Sequence, residues 1–73
     1  MPRKSEEALQ NRIKELRSLE DGMTQQSLAD QVGVTRQTVV ALESGGYTPS
    51  LALALRVARL FKMSVEEVFW LDE

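Results

Sequence analysis

The side chains of this sequence best suited to chemistry lie on one face of a short predicted helix near the middle of the chain. At helical spacing, this face presents Arg36, Gln37, Val40, Ala41 and Ser44. Arginine can donate two hydrogen bonds to O6 and N7 of guanine, glutamine can pair similarly with adenine, and valine or alanine can contact the thymine methyl group. The face therefore has the chemistry to contact base edges in the major groove, and the alternative is an ordinary solvated helix surface.

The segment around this face predicts how it is presented. Thr24 and Thr35 are suited to N-cap two successive short helices, and Gly33 between them can take the left-handed backbone of a sharp turn. Ala29 is small enough for the second helix to cross close above the first. Residues 24–46 therefore predict a helix-turn-helix, in which the second helix enters the major groove and the first points its N-terminus at a phosphate.

A first helix and a polar tail are predicted before this unit. Residues 1–10 are polar and have no packing signal. From Asn11, apolar residues recur in steps of three as far as Leu19, and Gly22 suits a helix end. The expected domain therefore spans residues 11–71.

Two more helices are predicted after the unit. Pro49 and Ser50 start the fourth, whose run 51–61 is apolar on most sides and predicts a buried central helix. Ser64 and Glu67 fit a capping box that starts the fifth. No segment favours a strand convincingly, so the expected fold is an all-α bundle of five short helices.

Composition excludes many other functions. The 73 residues contain no histidine and no cysteine, which removes the commonest general base, the commonest metal ligand and the best thiol nucleophile. No acidic pair has an obvious reason to converge, so we expect no enzyme, no metal and no cofactor. No apolar run approaches the length of a membrane span, and nothing resembles a signal peptide, so a soluble cytoplasmic protein is expected.

The net charge of -2 is not the usual signature of a nucleic-acid-binding protein. Its distribution weakens that objection. Residues 1–17 have five basic and three acidic side chains, whereas residues 18–50 have only Arg36 against four acids. The single cation of the middle segment thus stands where a base-contacting cation is useful.

Several short motifs together resemble a known family. They run NRIKELR at 11–17, MTQQ at 23–26, GVTRQTV at 33–39, LE at 42–43, YTPSL at 47–51 and SVEEVF at 64–69. This set is similar to the compact Cro and phage-repressor helix-turn-helix regulators, often called Xre-like. The resemblance implies a five-helix bundle of the lambda-repressor-like type that binds operator DNA as a two-fold homodimer and acts as a repressor, associated with the nucleoid.

The resemblance also implies roles for single residues. It places Arg36, Gln37 and Ala41 at base-contacting positions. Gln25, at the start of the second helix, and Ser44, at the end of the third, are expected to meet phosphates. Arg17 falls near the family position whose arginine pairs with an acid at the end of the recognition helix, here Glu43. This pairing makes physical sense, because an unpaired acid there would repel DNA.

Other side chains could contact phosphate, namely Arg12, Gln26, Thr35, Thr38 and Tyr47. Most of these have a simpler structural interpretation. Thr35 can be only an N-cap, Tyr47 can pack over the turn at Pro49, and Arg12 and Gln26 can be solvated helix residues.

The C-terminal end carries a candidate dimer surface made of Phe69, Trp70 and Leu71. Large apolar side chains so near the end of a small domain have little left to cover them, and aromatic residues are enriched at interface centres. The alternative is that Trp70 folds back onto the first helix.

A different function stays open. Some domains of this kind are antitoxins or adaptors that bind a protein as well as, or instead of, DNA. The acidic middle segment favours that function, as does Gly46, which stands where relatives often have a lysine or arginine. Arg36 and Gln37 favour DNA.

Overall fold

Residues 9–72 form five helices and two short strands in the computed structural model of the chain. In chain order, the elements are β1 (Leu9–Asn11), α1 (Ile13–Ser18), α2 (Gln25–Val32), α3 (Arg36–Ser44), α4 (Leu51–Leu60), α5 (Val65–Val68) and β2 (Phe69–Leu71). The prediction of five helices is confirmed. The predicted polar tail is divided, since residues 1–8 lie outside the described residues whereas Leu9 and Gln10 belong to β1.

Three helices, α2, α3 and α5, begin at the N-caps that the sequence predicts, and Ser50 caps α4. The hydroxyl oxygens of Thr24, Thr35, Ser50 and Ser64 each accept the backbone N–H three residues ahead, at distances of 3.0, 3.2, 3.1 and 3.3 Å. The Glu67 carboxylate accepts the Ser64 N–H at 2.8 Å, which completes the predicted capping box. Each cap satisfies a helix donor that has no partner within the helix and stabilises the fold by about 1 kcal/mol.

Left-handed residues end three of the helices. Gly33 follows α2 with a φ of 77°, as the sequence predicts, and Gly45 follows α3 with a φ of 84°. Lys62 has a φ of 58° just after α4, a conformation that glycine adopts more readily. The chain therefore turns sharply after α4 without the residue type that usually marks such a turn.

The prediction that the chain has no strand is wrong. β1 and β2 pair antiparallel, with Leu9 opposite Leu71, Gln10 opposite Trp70 and Asn11 opposite Phe69. We call this pair the terminal sheet. Three residues are too few for an alternating pattern to be recognised, and the pairing partner lies at the other end of the chain. Because Asn11 belongs to β1, α1 begins two residues later than predicted.

The core lies where α1 to α5 meet. Its fully buried large side chains are Ile13, Leu28, Val39, Leu42, Val57 and Val68. The prediction that α4 is buried on most sides is wrong, since Leu51 is 70% exposed and Leu55 is 46% exposed. α2 and α5 pack against α4, whose buried residues are Leu53, Ala54, Val57 and Ala58. Within residues 9–72, no helix has the length and apolar character needed to cross a membrane.

Candidate nucleic-acid interface

The two central helices are joined by a tight turn. α2 ends at Val32 and α3 begins at Arg36, with Gly33 in the left-handed conformation between them. The Val34 N–H donates to the Ala29 carbonyl at 3.0 Å, which folds the turn back onto α2. Ala29 and Val39 are both fully buried where the helices meet. A small residue on α2 and a branched one on α3 thus fix the crossing of the two helices.

The outward face of α3 is open to solvent. Arg36, Gln37 and Ser44 are exposed, Val40 is 40% exposed and Ala41 is half-buried. Val40 differs sharply from its neighbour Val39, which is fully buried. One side of α3 therefore packs into the core while the other presents the side chains that the sequence predicts as base contacts.

Several of the predicted phosphate contacts have partners within the chain. The Thr35 hydroxyl accepts the Thr38 N–H, and the two threonine hydroxyls lie 3.0 Å apart. The Ser44 hydroxyl donates to the Ala41 carbonyl at 3.0 Å, and the Gln26 amide donates to Asp30 at 2.8 Å. Thr35 is thus an N-cap, and a hydroxyl that already accepts one hydrogen bond can still contact a phosphate.

Arg17 and Glu43 form an ion pair that ties α1 to the end of α3. Arg17 Nε donates to Glu43 Oε2 at 2.6 Å, and Nη2 donates to Oε1 at 3.0 Å. Arg17 Nη1 also donates to the Met23 carbonyl at 3.2 Å. The Glu43 side chain is 6% exposed and that of Arg17 is 16% exposed. The planar guanidinium and the carboxylate therefore meet in a two-point contact that is largely shielded from water.

Gln25 belongs to the same cluster, which the sequence did not predict. Its Nε2 donates to Glu43 Oε1 at 3.1 Å. The resemblance assigned Gln25 to a phosphate, whereas its side-chain amide links the start of α2 to the end of α3. No local pattern pointed to this bond, because it joins residues 18 apart in sequence.

The cluster keeps Glu43 charged. Burial by itself raises the pKa of this carboxyl, but hydrogen bonds from Arg17 and Gln25 and the positive charges of Arg17 and Lys14 outweigh burial. The pKa of Glu43 therefore lies below its ordinary value of 4.5. The hydrogen bond to Glu43 in turn raises the pKa of Arg17. The acid at the end of α3 is consequently ionised and neutralised by its partner.

The C-terminal surface is smaller than the sequence predicts. Phe69 is only 6% exposed and packs in the core, so its inclusion in a dimer surface is corrected. Trp70 and Leu71 remain 41% and 52% exposed. The Arg12 guanidinium lies over the Trp70 ring, 4.9 Å from its centre, in a cation–π contact. Arg12, predicted to contact phosphate, is thus engaged with the terminal sheet.

Tyr47 is 41% exposed and lies in the loop between α3 and α4.

Asn11, which the sequence analysis names only as the start of the first helix, has two hydrogen bonds that reach α1 and α3. The bond to Ile13 is local, since an asparagine side chain commonly accepts the backbone N–H two residues ahead. Its contact with α3 has no such local signal.

Comparison with known proteins agrees with this architecture. The helix-turn-helix family model matches residues 13–68. YgzD, an HTH-type transcriptional regulator of Bacillus subtilis, is 52% identical over 65 residues, which cover 89% of this chain and 97% of the relative. An HTH-type regulator of Archaeoglobus fulgidus is 49% identical over 65 residues, with 89% and 90% covered. Another, of Methanothermobacter thermautotrophicus, is 58% identical over 53 residues, with 71% and 77% covered. The chain therefore belongs to the Xre-like helix-turn-helix family.

Proposed function

We propose that this protein binds double-stranded DNA of a particular sequence through α3 and acts as a transcriptional repressor. The exposed face formed by Arg36, Gln37, Val40 and Ala41 carries the proposal, since its donors and methyl groups suit base edges in the major groove. Repression follows from occupancy, because a chain bound in the groove excludes other proteins from that site. Such a protein works in the cytoplasm at the nucleoid.

Membership of the helix-turn-helix family supports the domain boundaries that the sequence predicts. In this proposal, residues 11–71 form the DNA-binding domain, with a bundle of the lambda-repressor-like type, and residues 24–46 form its helix-turn-helix unit. The relatives named as HTH-type transcriptional regulators align over most of this span.

The start of α2 offers a phosphate site made of backbone rather than side chain. The Thr24 hydroxyl accepts a hydrogen bond from the Ser27 N–H, and the Thr24 carbonyl accepts one from the Leu28 N–H. The N–H groups of Gln25 and Gln26 precede these in the first turn and point in the direction favoured by an anion. Because the Gln25 amide is bound to Glu43, the contact expected there comes from the main chain.

Neutralisation of Glu43 also supports DNA binding. A free carboxylate in the last turn of α3 would repel the phosphates on either side of the groove. Its two-point contact with Arg17 cancels that charge, while Arg36 at the other end of α3 remains exposed. The acidic balance of the whole chain therefore does not describe the surface that would face DNA.

Binding as a homodimer completes the proposal. Two copies related by a two-fold axis place their recognition helices in successive major grooves, so we expect a pseudo-palindromic duplex with half-site centres about 10 base pairs apart. Trp70 is the centre of the proposed dimer surface, since it is exposed on β2, and Leu71, which is also exposed, follows it at the end of the strand. The exposed pair Leu51 and Leu55 on α4 is the rival surface.

The dependence of affinity on salt tests DNA binding directly. A duplex is first selected from a random pool by the wild-type protein. We expect its affinity to fall about a hundredfold when monovalent salt rises from about 50 to about 200 mM, for about four neutralised phosphates. An affinity nearly independent of salt would contradict the proposal. A chain that enriches no duplex would instead favour the protein-binding alternative, which the acidic residues 18–50 and Gly46 support.

Substitution of Trp70 tests the dimer surface. We expect Trp70→Thr to shift the protein from dimer to monomer in analytical ultracentrifugation at micromolar concentration, because the exposed ring is lost from the interface centre. Leu19→Thr is the matched control, since Leu19 is 75% exposed and lies outside the proposed surface. If Leu55→Thr gives monomer and Trp70→Thr does not, the interface lies on α4 and this assignment is wrong.

A further inference from the structure

The carboxamide of Asn11 joins three elements. Its Oδ1 accepts the Ile13 N–H at 3.0 Å, at the beginning of α1. Its Nδ2 donates to the Leu42 carbonyl at 2.9 Å, in the last turn of α3. The second bond connects residues 31 apart in sequence. Asn11 therefore accepts the first N–H of α1 and also ties it to α3.

The Asn11 side chain contacts the last turn of α3, where backbone carbonyl groups lack hydrogen-bond donors. Carbonyls in the last turn of a helix have no N–H partner within it. The Ala41 carbonyl accepts the Gly46 N–H at 3.0 Å, whereas the Leu42 carbonyl receives the Gly45 N–H at a longer 3.3 Å. The shorter bond from Asn11 thus supplies Leu42 with its better donor and acts as a side-chain cap from another element.

The two ends of α3 are held by different means. Thr35 caps the beginning of α3 and is a local contact within the helix-turn-helix. The far end is held by tertiary contacts, which are those of Arg17 and Gln25 with Glu43 and the bond from Asn11 to the backbone of the last turn. A local cap stabilises a helix in any orientation, whereas tertiary contacts determine its direction relative to the rest of the domain.

We infer that Asn11 is a positioning residue that fixes the direction of α3 and thereby the base specificity of the DNA-binding face. This inference rests on the proposed function of α3. Because Asn11 holds α3 by its backbone, it orients the base-contacting side chains together without touching DNA. A base-contacting side chain that is displaced by a fraction of an ångström forms weaker hydrogen bonds with the base, because hydrogen-bond strength depends on angle.

The same residue connects α3 to the proposed dimer surface. Asn11 pairs with Phe69 in the terminal sheet, and the adjacent Arg12 N–H donates to the Val68 carbonyl at 3.1 Å. Trp70 follows directly in β2. The direction of α3 is therefore set relative to the strand that carries Trp70, so the tie also governs the distance between the recognition helices of a dimer.

Two variants of Asn11 separate its contacts. Asn11→Asp keeps an oxygen for the Ile13 N–H but, when ionised, has no donor for the Leu42 carbonyl. Asn11→Ser adds no charge, and although its hydroxyl can donate, its side chain is one bond shorter and cannot span both partners as the carboxamide does. Gln10→Glu is the control for Asn11→Asp, because it adds the same charge one residue earlier, where the side chain lies on the other face of β1. Circular dichroism fixes a temperature at which all variants are folded.

The measurement is the ratio of affinities for the selected duplex and for duplexes substituted within each half-site. We expect both Asn11 variants to lower this ratio about three- to tenfold, as for one lost hydrogen bond, while Gln10→Glu leaves it unchanged. Amide exchange at Gly45 and Gly46 should also accelerate in both variants.

An unchanged specificity ratio in both folded variants, with only a lower melting temperature, would show that Asn11 serves stability alone and would overturn the inference. Equal loss in Gln10→Glu and Asn11→Asp, with none in Asn11→Ser, would assign the effect to charge and overturn it as well. If the wild-type chain prefers no duplex, the proposed function itself fails and the inference with it.

Discussion

Replacing Arg36 with alanine is expected to lower affinity for the selected duplex by about 1–3 kcal/mol and to remove the preference at one base pair of each half-site. Arg36 is the first residue of α3 and is exposed, so its guanidinium is free to lie in the groove. A planar group with two parallel donors matches O6 and N7 of guanine, and alanine offers neither donor. Titration against the selected duplex and its single-base-pair substitutions measures both effects.

The control for this prediction keeps the charge and changes the geometry. Arg36→Lys retains a cation for phosphate but loses the two-point contact, so it should bind with reduced base preference and a similar dependence on salt. If Arg36→Lys discriminates between base pairs as well as the wild type does, and Arg36→Ala weakens all duplexes equally, Arg36 contacts phosphate and is not a base contact.

The largest expected effect on folding comes from the Arg17–Glu43 pair. Glu43→Gln should lower the free energy of unfolding by about 1–3 kcal/mol, because it leaves the guanidinium of Arg17, 16% exposed, without a charged partner. Urea denaturation measures the change at one fixed protein concentration, because the proposed dimer would unfold at a midpoint that depends on concentration. A double-mutant cycle with Arg17→Met isolates the energy of the pair. Additive losses in that cycle would contradict a coupled contact.

The stabilisation of the fold by Glu43 is expected to depend on pH. Because the folded-state pKa of Glu43 lies below its ordinary value of 4.5, the ionised form is favoured by folding. The contribution of Glu43 to the free energy of unfolding is complete above pH 4.5, and it is lost as the pH falls through the lower pKa of the folded state. The difference in unfolding free energy between wild type and Glu43→Gln should therefore be largest at neutral pH and shrink below about pH 4.5.

Glu67 requires a matched control in acid. The hydrogen bonds from the Ser64 backbone and side chain lower the pKa of Glu67, so part of the acid sensitivity of the wild type comes from the capping box. Glu67→Gln removes that part and leaves the Glu43 contribution intact. A difference between wild type and Glu43→Gln that stays constant from pH 7 to pH 3 would show that the Glu43 charge does not stabilise the fold.

Local signals predicted most of the helix boundaries. Thr24, Thr35 and Ser64 are N-caps in the structure, and Gly33 ends α2 in the left-handed conformation. Each of these caps and helix ends depends on residues within one turn of each other, so it can be predicted from the local sequence alone. The helix-turn-helix could be predicted for the same reason, since its tight turn places the two helices side by side.

Contacts between distant segments could not be predicted in this way. β1 and β2 are too short to show a period, and each is a strand only because the other is present. Gln25 and Asn11 donate to residues of α3, and the direction of those side chains depends on the packing of the whole domain. The exposed face of α4 cannot be predicted from the sequence, because a continuous apolar run does not show which of its leucines pack against another element.

The terminal sheet has a consequence for the order of folding. Pairing residues 9–11 with residues 69–71 requires closure of a loop that contains every helix, whereas α2 and α3 meet across a turn of three residues. Closure entropy grows with loop length, so the helix-turn-helix can form early and the strands pair last. During synthesis, the segment proposed to contact DNA can therefore become ordered before β2 has left the ribosome and paired with the strand that contains Asn11.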